Sequence, residues 1–346
     1  MVGAGLFARM PKAELHLHLD GSLRPSTALE LARERGLDGG RNLAAMTTSL
    51  QAPPQVTDQA ELLRAFDLPI ALMQDTEAIQ RVTHELIEDV AGDGTRYVEV
   101  RWGPALHLAG GHDLRGSIEA GVAGARGGTA ATGIAVRLIA VALRSHSPEI
   151  NLALAREANG FLGDGLTGFD LAGPERAYPD PLLHAEAFAA ARDGGLGITI
   201  HAGEWGGAAQ VRRALAVDPV RIAHGAAAAE DPELVRELVA RGVTLDLAPT
   251  SNVQASIYPA LADFPLPSLL RAGVPVTLST DDRTVSDLTL VREYERAHER
   301  MGLSLPELWR INMHALRVAF LHDDEPLRAR LIAEFEAFAA SEPSLA

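Results

Sequence analysis

The sequence predicts a (β/α)8 barrel, and three observations carry that prediction. Eight short apolar or alternating runs recur along the 346 residues, nearly all separated by a helical pattern. Strands that alternate with helices build a parallel sheet, and eight such units close it into a barrel. The polar residues that interrupt the pattern, among them His16, His18, Gly173, His201, His224 and Asp281, stand at or just beyond the C-terminal ends of those runs. A barrel gathers its site at those ends. No glycine-rich fingerprint follows the first run, which weighs against a doubly wound open sheet, the nearest competitor.

The first run sets the register. Leu15, Leu17 and Leu19 fall on one face and His16 and His18 on the other, the period of a strand. Asp20-Gly21-Ser22 then opens a loop. A helical stripe over 26–35 ends at Gly36. The stretch 43–57, with Pro53-Pro54, is looser and reads as a lid-type insertion; 58–74 and 75–92 read as two helices. Further strands are expected at 97–102, 134–143, 166–171, 196–201, 220–223, 243–247 and 274–280. Helices are expected between them over 114–126, 148–161, 181–194, 207–215, 231–241 and 266–272. Helices near 288–300 and 306–321 precede a tail. With no linker-like stretch, residues 1–346 read as one domain: a TIM-like barrel with a helical insertion after strand 1 and extra C-terminal helices.

Composition narrows the chemistry. The chain is 47% hydrophobic and 22% charged, enough to bury a large core, and its net charge of −15 would repel a phosphate backbone, so nucleic acid is not an expected partner. There is no cysteine, which excludes disulfides, thiolate nucleophiles, iron–sulfur clusters and cysteine-ligated zinc. Lys12 is the only lysine, so neither a Schiff base nor a bridging modified lysine can arise in mid-chain. The first ten residues hold one short apolar patch and one arginine, too little for a secretory signal, and no later run approaches a membrane span. A cytoplasmic protein is expected.

The interrupting residues suggest a metal centre. Two imidazoles at i and i+2 leave a strand side by side, which is half of a metal site or a hydrogen-bonded pair in a core. His201-Ala202-Gly203-Glu204 puts an imidazole at a strand end and a carboxylate three residues on, where an isolated Glu could equally open a helix. A lone His224 would more often be structural. Asp281-Asp282 places two acids directly after an apolar strand, where they repel one another unless a cation or proton separates their tasks; a helix cap is the alternative. Jointly, three histidines and a carboxylate form the N/O set that zinc accepts. Glu204 then remains a free carboxylate suited to moving protons beside an activated water. No second ligand set is visible, so one metal ion per chain is expected. His84, His107, His112, His146, His184, His298, His314 and His322 fall on helices or loops and read as structural.

Six segments in order, Pro11 to Ser22 (Pro-Lys-Ala-Glu-Leu-His-Leu-His-Leu-Asp-Gly-Ser), Asp170-Leu-Ala-Gly173, His201-Ala-Gly-Glu204, Ala223-His-Gly225, Pro249-Thr-Ser-Asn-Val-Gln254 and Ser279-Thr-Asp-Asp282, resemble the adenosine deaminase family of metal-dependent hydrolases. The resemblance runs from residue 11 to about 289. It implies zinc on His16, His18, His201 and Asp281, with Glu204 protonating purine N1 and His224 orienting the attacking water. It further implies Asp282 on N7, the Gly173 N–H on N3, and Asp20 on the ribose 5′-hydroxyl, with His18 also at the substrate. The implied reaction is hydrolysis of adenosine, and of 2′-deoxyadenosine, to inosine and ammonia. Ala248, Ala223 and Arg283 depart from the family pattern, in which Cys, Gly and Pro are common at those places. These departures bear on substrate choice, since relatives deaminate adenine, aminodeoxyfutalosine or 5′-modified adenosines with the same centre. Asp20 and Thr280-Asp281-Asp282 favour a nucleoside.

Two other classes compete. A hydrolase of amides or phosphoesters on a similar barrel usually needs a second metal and a bridging group, and the missing mid-chain lysine argues against it. A silent purine-binding protein would need neither Glu204 nor His224.

Overall fold

A computed structural model describes residues 5–345. Residues 1–4, part of the N-terminal stretch considered above, lie outside them. Eight parallel strands follow one another in chain order around a nearly closed barrel: β1 Lys12–His18, β2 Thr95–Trp102, β3 Ala135–Leu143, β4 Leu166–Ala172, β5 Gly197–Ala202, β6 Arg221–His224, β7 Thr244–Leu247 and β8 Val276–Leu278. Each expected strand is present.

The barrel closes at the site itself. His18 N–H donates to the Asp281 carbonyl at 2.8 Å and Asp281 N–H to the His16 carbonyl at 3.1 Å. The Ser279 hydroxyl accepts the His16 N–H at 3.2 Å. Leu15 and Leu17 point outward into the helical layer and are fully buried, so the alternation turns His16 and His18 to the inside. β8 is shorter than expected from 274–280. Pro275 has no N–H for a ladder, and beyond Ser279 the backbone leaves the strand, reaching φ +66° at Asp281.

Three helical expectations change. The segment 58–74 is not one helix but Gln59–Leu63, a 3-10 turn Arg64–Phe66 and Asp67–Leu72. Pro69 cannot donate to the carbonyl four residues back, which favours a break. The looser stretch contains a helix, Leu43–Leu50, whose Asn42 side chain caps Ala45 N–H at 2.9 Å. The tail is also helical: Glu325–Ser341 buries Leu331 and Phe335, with Phe335 6.0 Å from the Trp309 ring. Among the described residues no helix is long and apolar enough to cross a membrane.

The barrel interior below the site is filled by charge rather than by aliphatic layers alone. Arg101 pairs with Asp170 at 2.9 Å. Arg221 pairs with Asp246 at 2.9 Å and also with Glu99. All are fully buried. Such charges are tolerated only when paired and hydrogen-bonded, and this cluster forms the floor on which the site rests.

Candidate active site

The Nε2 atoms of His16, His18 and His201 converge at the barrel mouth, separated by 3.1–3.3 Å. Asp281 Oδ1 completes the group, 2.9 Å from His16 Nε2 and 3.4 Å from His18 Nε2. Donors about 2.0–2.1 Å from a central zinc ion stand about 3.3 Å apart at tetrahedral angles, so the spacing suits a single ion. The protonation pattern suits it too. Burial, with Arg101 next, holds His16 well below its ordinary value, and burial lowers His18 to about 3. With His16 and His18 held neutral beside the Asp281 carboxylate, their ring nitrogens suit a cation between them.

The rings are oriented from behind. His16 Nδ1 faces the Asp246 carbonyl at 3.4 Å, and His201 Nδ1 faces Asp170 Oδ2 at 2.9 Å. Hydrogen bonds on Nδ1 leave the Nε2 lone pair aimed inward. Burial opposes ionisation of Asp170, yet His201 and Arg101 beside it hold its carboxyl far below the usual range. Ser251 Oγ donates to Asp281 Oδ2 at 2.7 Å. His224 and Asp281 adopt φ values of +64° and +66°, positions that only a well-braced site sustains for side chains other than glycine.

Glu204 and His224 stand beside this nest. Glu204 Oε2 and Asp281 Oδ2 each lie 3.8 Å from His224 Nε2. Asn252 Nδ2 donates to His224 Nδ1 at 3.3 Å, which leaves the ring proton on Nε2, toward the acids. Burial, and then the Asp281 charge, push Glu204 up to about 8. Asp281 and Asp282 separate strongly. Burial opposes ionisation of Asp281 but the His16 ring keeps it ionised, whereas burial, Asp281 and Asp20 push Asp282 well above the carboxylate range. Burial also raises Asp20 to about 6.

A cavity of about 430 Å³ opens over these groups, lined by His18, Asp20, Gly173, His201, Glu204, His224, Asp281 and Asp282. All the expected site residues line it except His16, which is fully buried behind them. The helical insertion between β1 and β2 also lines the cavity, through Leu62, Leu63, Phe66, Asp67 and Ile70. It is seated by a small apolar cluster of Val56, Leu62, Ala65, Trp205, Ala255 and Val285. Gly21 is required by close approach, because a Cβ there would lie 1.7 Å from Asp282 Oδ1. Gly173 has φ +105°, which frees its backbone to face the cavity.

Strand and helix periodicity does not single out the loop residues Ser251, Asn252, Glu175 and Arg144. Two further supports carry a signal, charge inside an apolar run: Asp246 in β7 and Arg101 in β2.

A parallel barrel with three histidines and an aspartate at its C-terminal mouth defines a metal-dependent hydrolase. Residues 11–336 match the adenosine deaminase family. An adenosine deaminase of Erwinia tasmaniensis is 36% identical over 333 residues, covering 94% of this chain and 99% of that protein. The crystal structure of an adenine deaminase from Arthrobacter aurescens is similar, with TM-score 0.86, 27% identity and coverage of 96% and 99% of the two chains. The N6-methyl-AMP deaminase of Arabidopsis thaliana has TM-score 0.85, 28% identity and coverage of 97% and 99%. The chain belongs to the adenosine deaminase family: it is a hydrolytic deaminase acting on the amidine C–N bond of a purine, in a family that depends on a metal.

Proposed function

We propose that the protein hydrolyses adenosine, and 2′-deoxyadenosine, to inosine and ammonia, with one zinc ion per chain held by His16, His18, His201 and Asp281. Residues 1–346 then act as one domain whose insertion forms the outer wall of the substrate cavity. A bound ion of this kind supplies a nucleophile at neutral pH by lowering the pKa of water to about 7.

The chain's own groups divide the remaining work. Purine N1 and N7 carry lone pairs and no hydrogen, so their partners must bring protons. Glu204, which favours its protonated form, donates to N1 and draws electrons from C6, making it a better electrophile. Asp282, held neutral by burial and its two acidic neighbours, donates to N7 from a carboxyl whose Oδ1 has no protein partner. His224 Nε2 lies between Glu204 and Asp281 and orients the attacking water while stabilising the charge that develops. Gly173 N–H faces N3. His18 lies at the substrate edge of the metal group, and Asp20, whose Oδ1 is also without a partner, takes the 5′-hydroxyl.

One observation supports a nucleoside over a nucleotide. Among the described residues lining the cavity there is no arginine or lysine, while Asp20, Asp67, Glu204, Asp281 and Asp282 all are present. A 5′-phosphate recognised at such a wall would lack the guanidinium or ammonium partners that phosphate sites use. The alternatives are free adenine, aminodeoxyfutalosine and 5′-modified adenosines. Asp20 speaks against adenine, since a base alone leaves its buried oxygen unpaired. Steady-state rates on adenosine, adenine and AMP test the assignment, and faster turnover of AMP than of adenosine would refute it.

A further inference from the structure

Glu204 sits in a glycine-rich turn, Gly203-Glu204-Trp205-Gly206-Gly207, between the end of β5 and the helix that begins at Gly207. Gly203 and Gly207 have φ of +75° and +67°. Such a segment has little stiffness of its own, yet it must hold a carboxyl beside His224. One side chain from another loop supplies the missing order. Glu175, two residues past Gly173 and 3% exposed, accepts the Gly203 N–H on Oε1 at 2.7 Å. Its Oε2 accepts the N–H groups of Trp205 and Gly206 at 2.9 and 2.8 Å. The peptides on both sides of Glu204 are thus tied to a single buried carboxylate.

Two arginines complete the brace. Arg176 Nε donates to the Trp205 carbonyl at 2.7 Å. Arg144 Nη2 donates to the His201 carbonyl at 2.8 Å, and its Nη1 to the Tyr178 carbonyl at 3.1 Å. The loop after β4, which carries Gly173, is therefore joined to the loop after β5, which carries Glu204. We propose that Glu175 is a positioning residue for Glu204: it touches no substrate, and it sets the place of the acid relative to His224 and Gly173. This rests on the reading of Glu204 as the proton donor to N1.

The inference predicts coupling between the two residues. In Glu175→Gln an amide NH2 replaces one acceptor and faces backbone N–H groups, so at least one of the three hydrogen bonds is lost and the turn is released. In zinc-loaded protein, kcat on adenosine falls by about 10- to 100-fold, the scale of a small misplacement of a reacting group. KM and zinc content stay close to wild type. In the Glu204→Gln background the same substitution lowers kcat by less than about twofold, because the group it positions is already disabled. Equal losses in the two backgrounds, or no loss in the first, would overturn the positioning role alone. Undiminished kcat in Glu204→Gln by itself would overturn the proton-donor reading and this inference with it. Should Glu175→Gln not fold, Glu175→Asp, which keeps the charge on a shorter side chain, enters the same cycle with the same criteria.

Discussion

Glu204 Oε2 and His224 Nε2 lie 3.8 Å apart, and the His224 ring is equally far from Asp281 Oδ2. Two carboxyl groups and an imidazole thus face one small volume at the barrel mouth, and in the proposed mechanism Glu204 is the proton donor and Asp281 a metal ligand. Replacing Glu204 by Gln preserves its size and removes its acidity. The expected outcome is a loss of kcat of about 10²- to 10⁴-fold, with zinc content and binding of a non-reacting purine riboside retained. Rapid-mixing kinetics and calorimetry on the same preparation check the two halves.

Asp170 holds His201 through Nδ1 at 2.9 Å and is itself paired with Arg101. An Asp170→Asn substitution removes the charge that orients the ring and makes its Nε2 more basic. Metal affinity is expected to fall by about 10- to 100-fold. Titration against a competing chelator reads this directly, and unchanged affinity would remove Asp170 from the account.

Gly21 gives Asp282 its place. A Cβ at residue 21 would fall 1.7 Å from Asp282 Oδ1 and 2.5 Å from its Cγ, so Gly21→Ala must displace that carboxyl. The variant should keep its metal and lose about 10²-fold in kcat/KM. Equal loss of metal would point to wider damage around Asp281 instead.

Away from the site, Ser304 and Glu307 form a capping box at the start of the helix Leu305–Val318. Arg271 also donates to Glu307 at 2.9 Å. Ser304→Ala should cost about 1 kcal/mol of stability. The Arg271 hydrogen bond leads the effects that, against the opposing effect of burial, depress Glu307 from 4.5 to about 2. A depressed folded-state pKa stabilises above the unfolded-state value and loses that contribution as pH falls through the folded one. The contribution of Glu307 is therefore complete above about pH 4.5 and fades toward pH 2. Because the pair lies at the surface, with the Arg271 side chain exposed, screening keeps it small. Denaturation of Glu307→Gln should show a shallower loss of stability than wild type across that window.

Much of the site was legible because strand periodicity is rigid. His16 and His18 two apart on β1, and polar residues at the ends of β4, β5, β6 and β8, must meet once eight parallel strands close. The supports were less visible. Glu175, Asn252 and Ser251 act through loops whose paths no periodicity fixes, and each alone resembles an ordinary polar surface residue. The insertion is present, but its internal boundaries are not legible for a related reason. Its helices are short, Pro69 and Pro53-Pro54 interrupt them, and their seat on Trp205 and Val285 depends on contacts far away in the chain. The helix Glu325–Ser341 did have a signal, in Leu327, Leu331, Phe335 and Phe338 at helical spacing.

Zinc-loaded protein mixed with adenosine, with and without prior chelation, tests the central claim most directly through the absorbance change as adenosine becomes inosine. Rapid conversion is expected, abolished by the chelator and restored by added zinc, with AMP left unreacted under the same conditions. Full turnover by metal-stripped protein, or AMP consumed faster than adenosine, would contradict it.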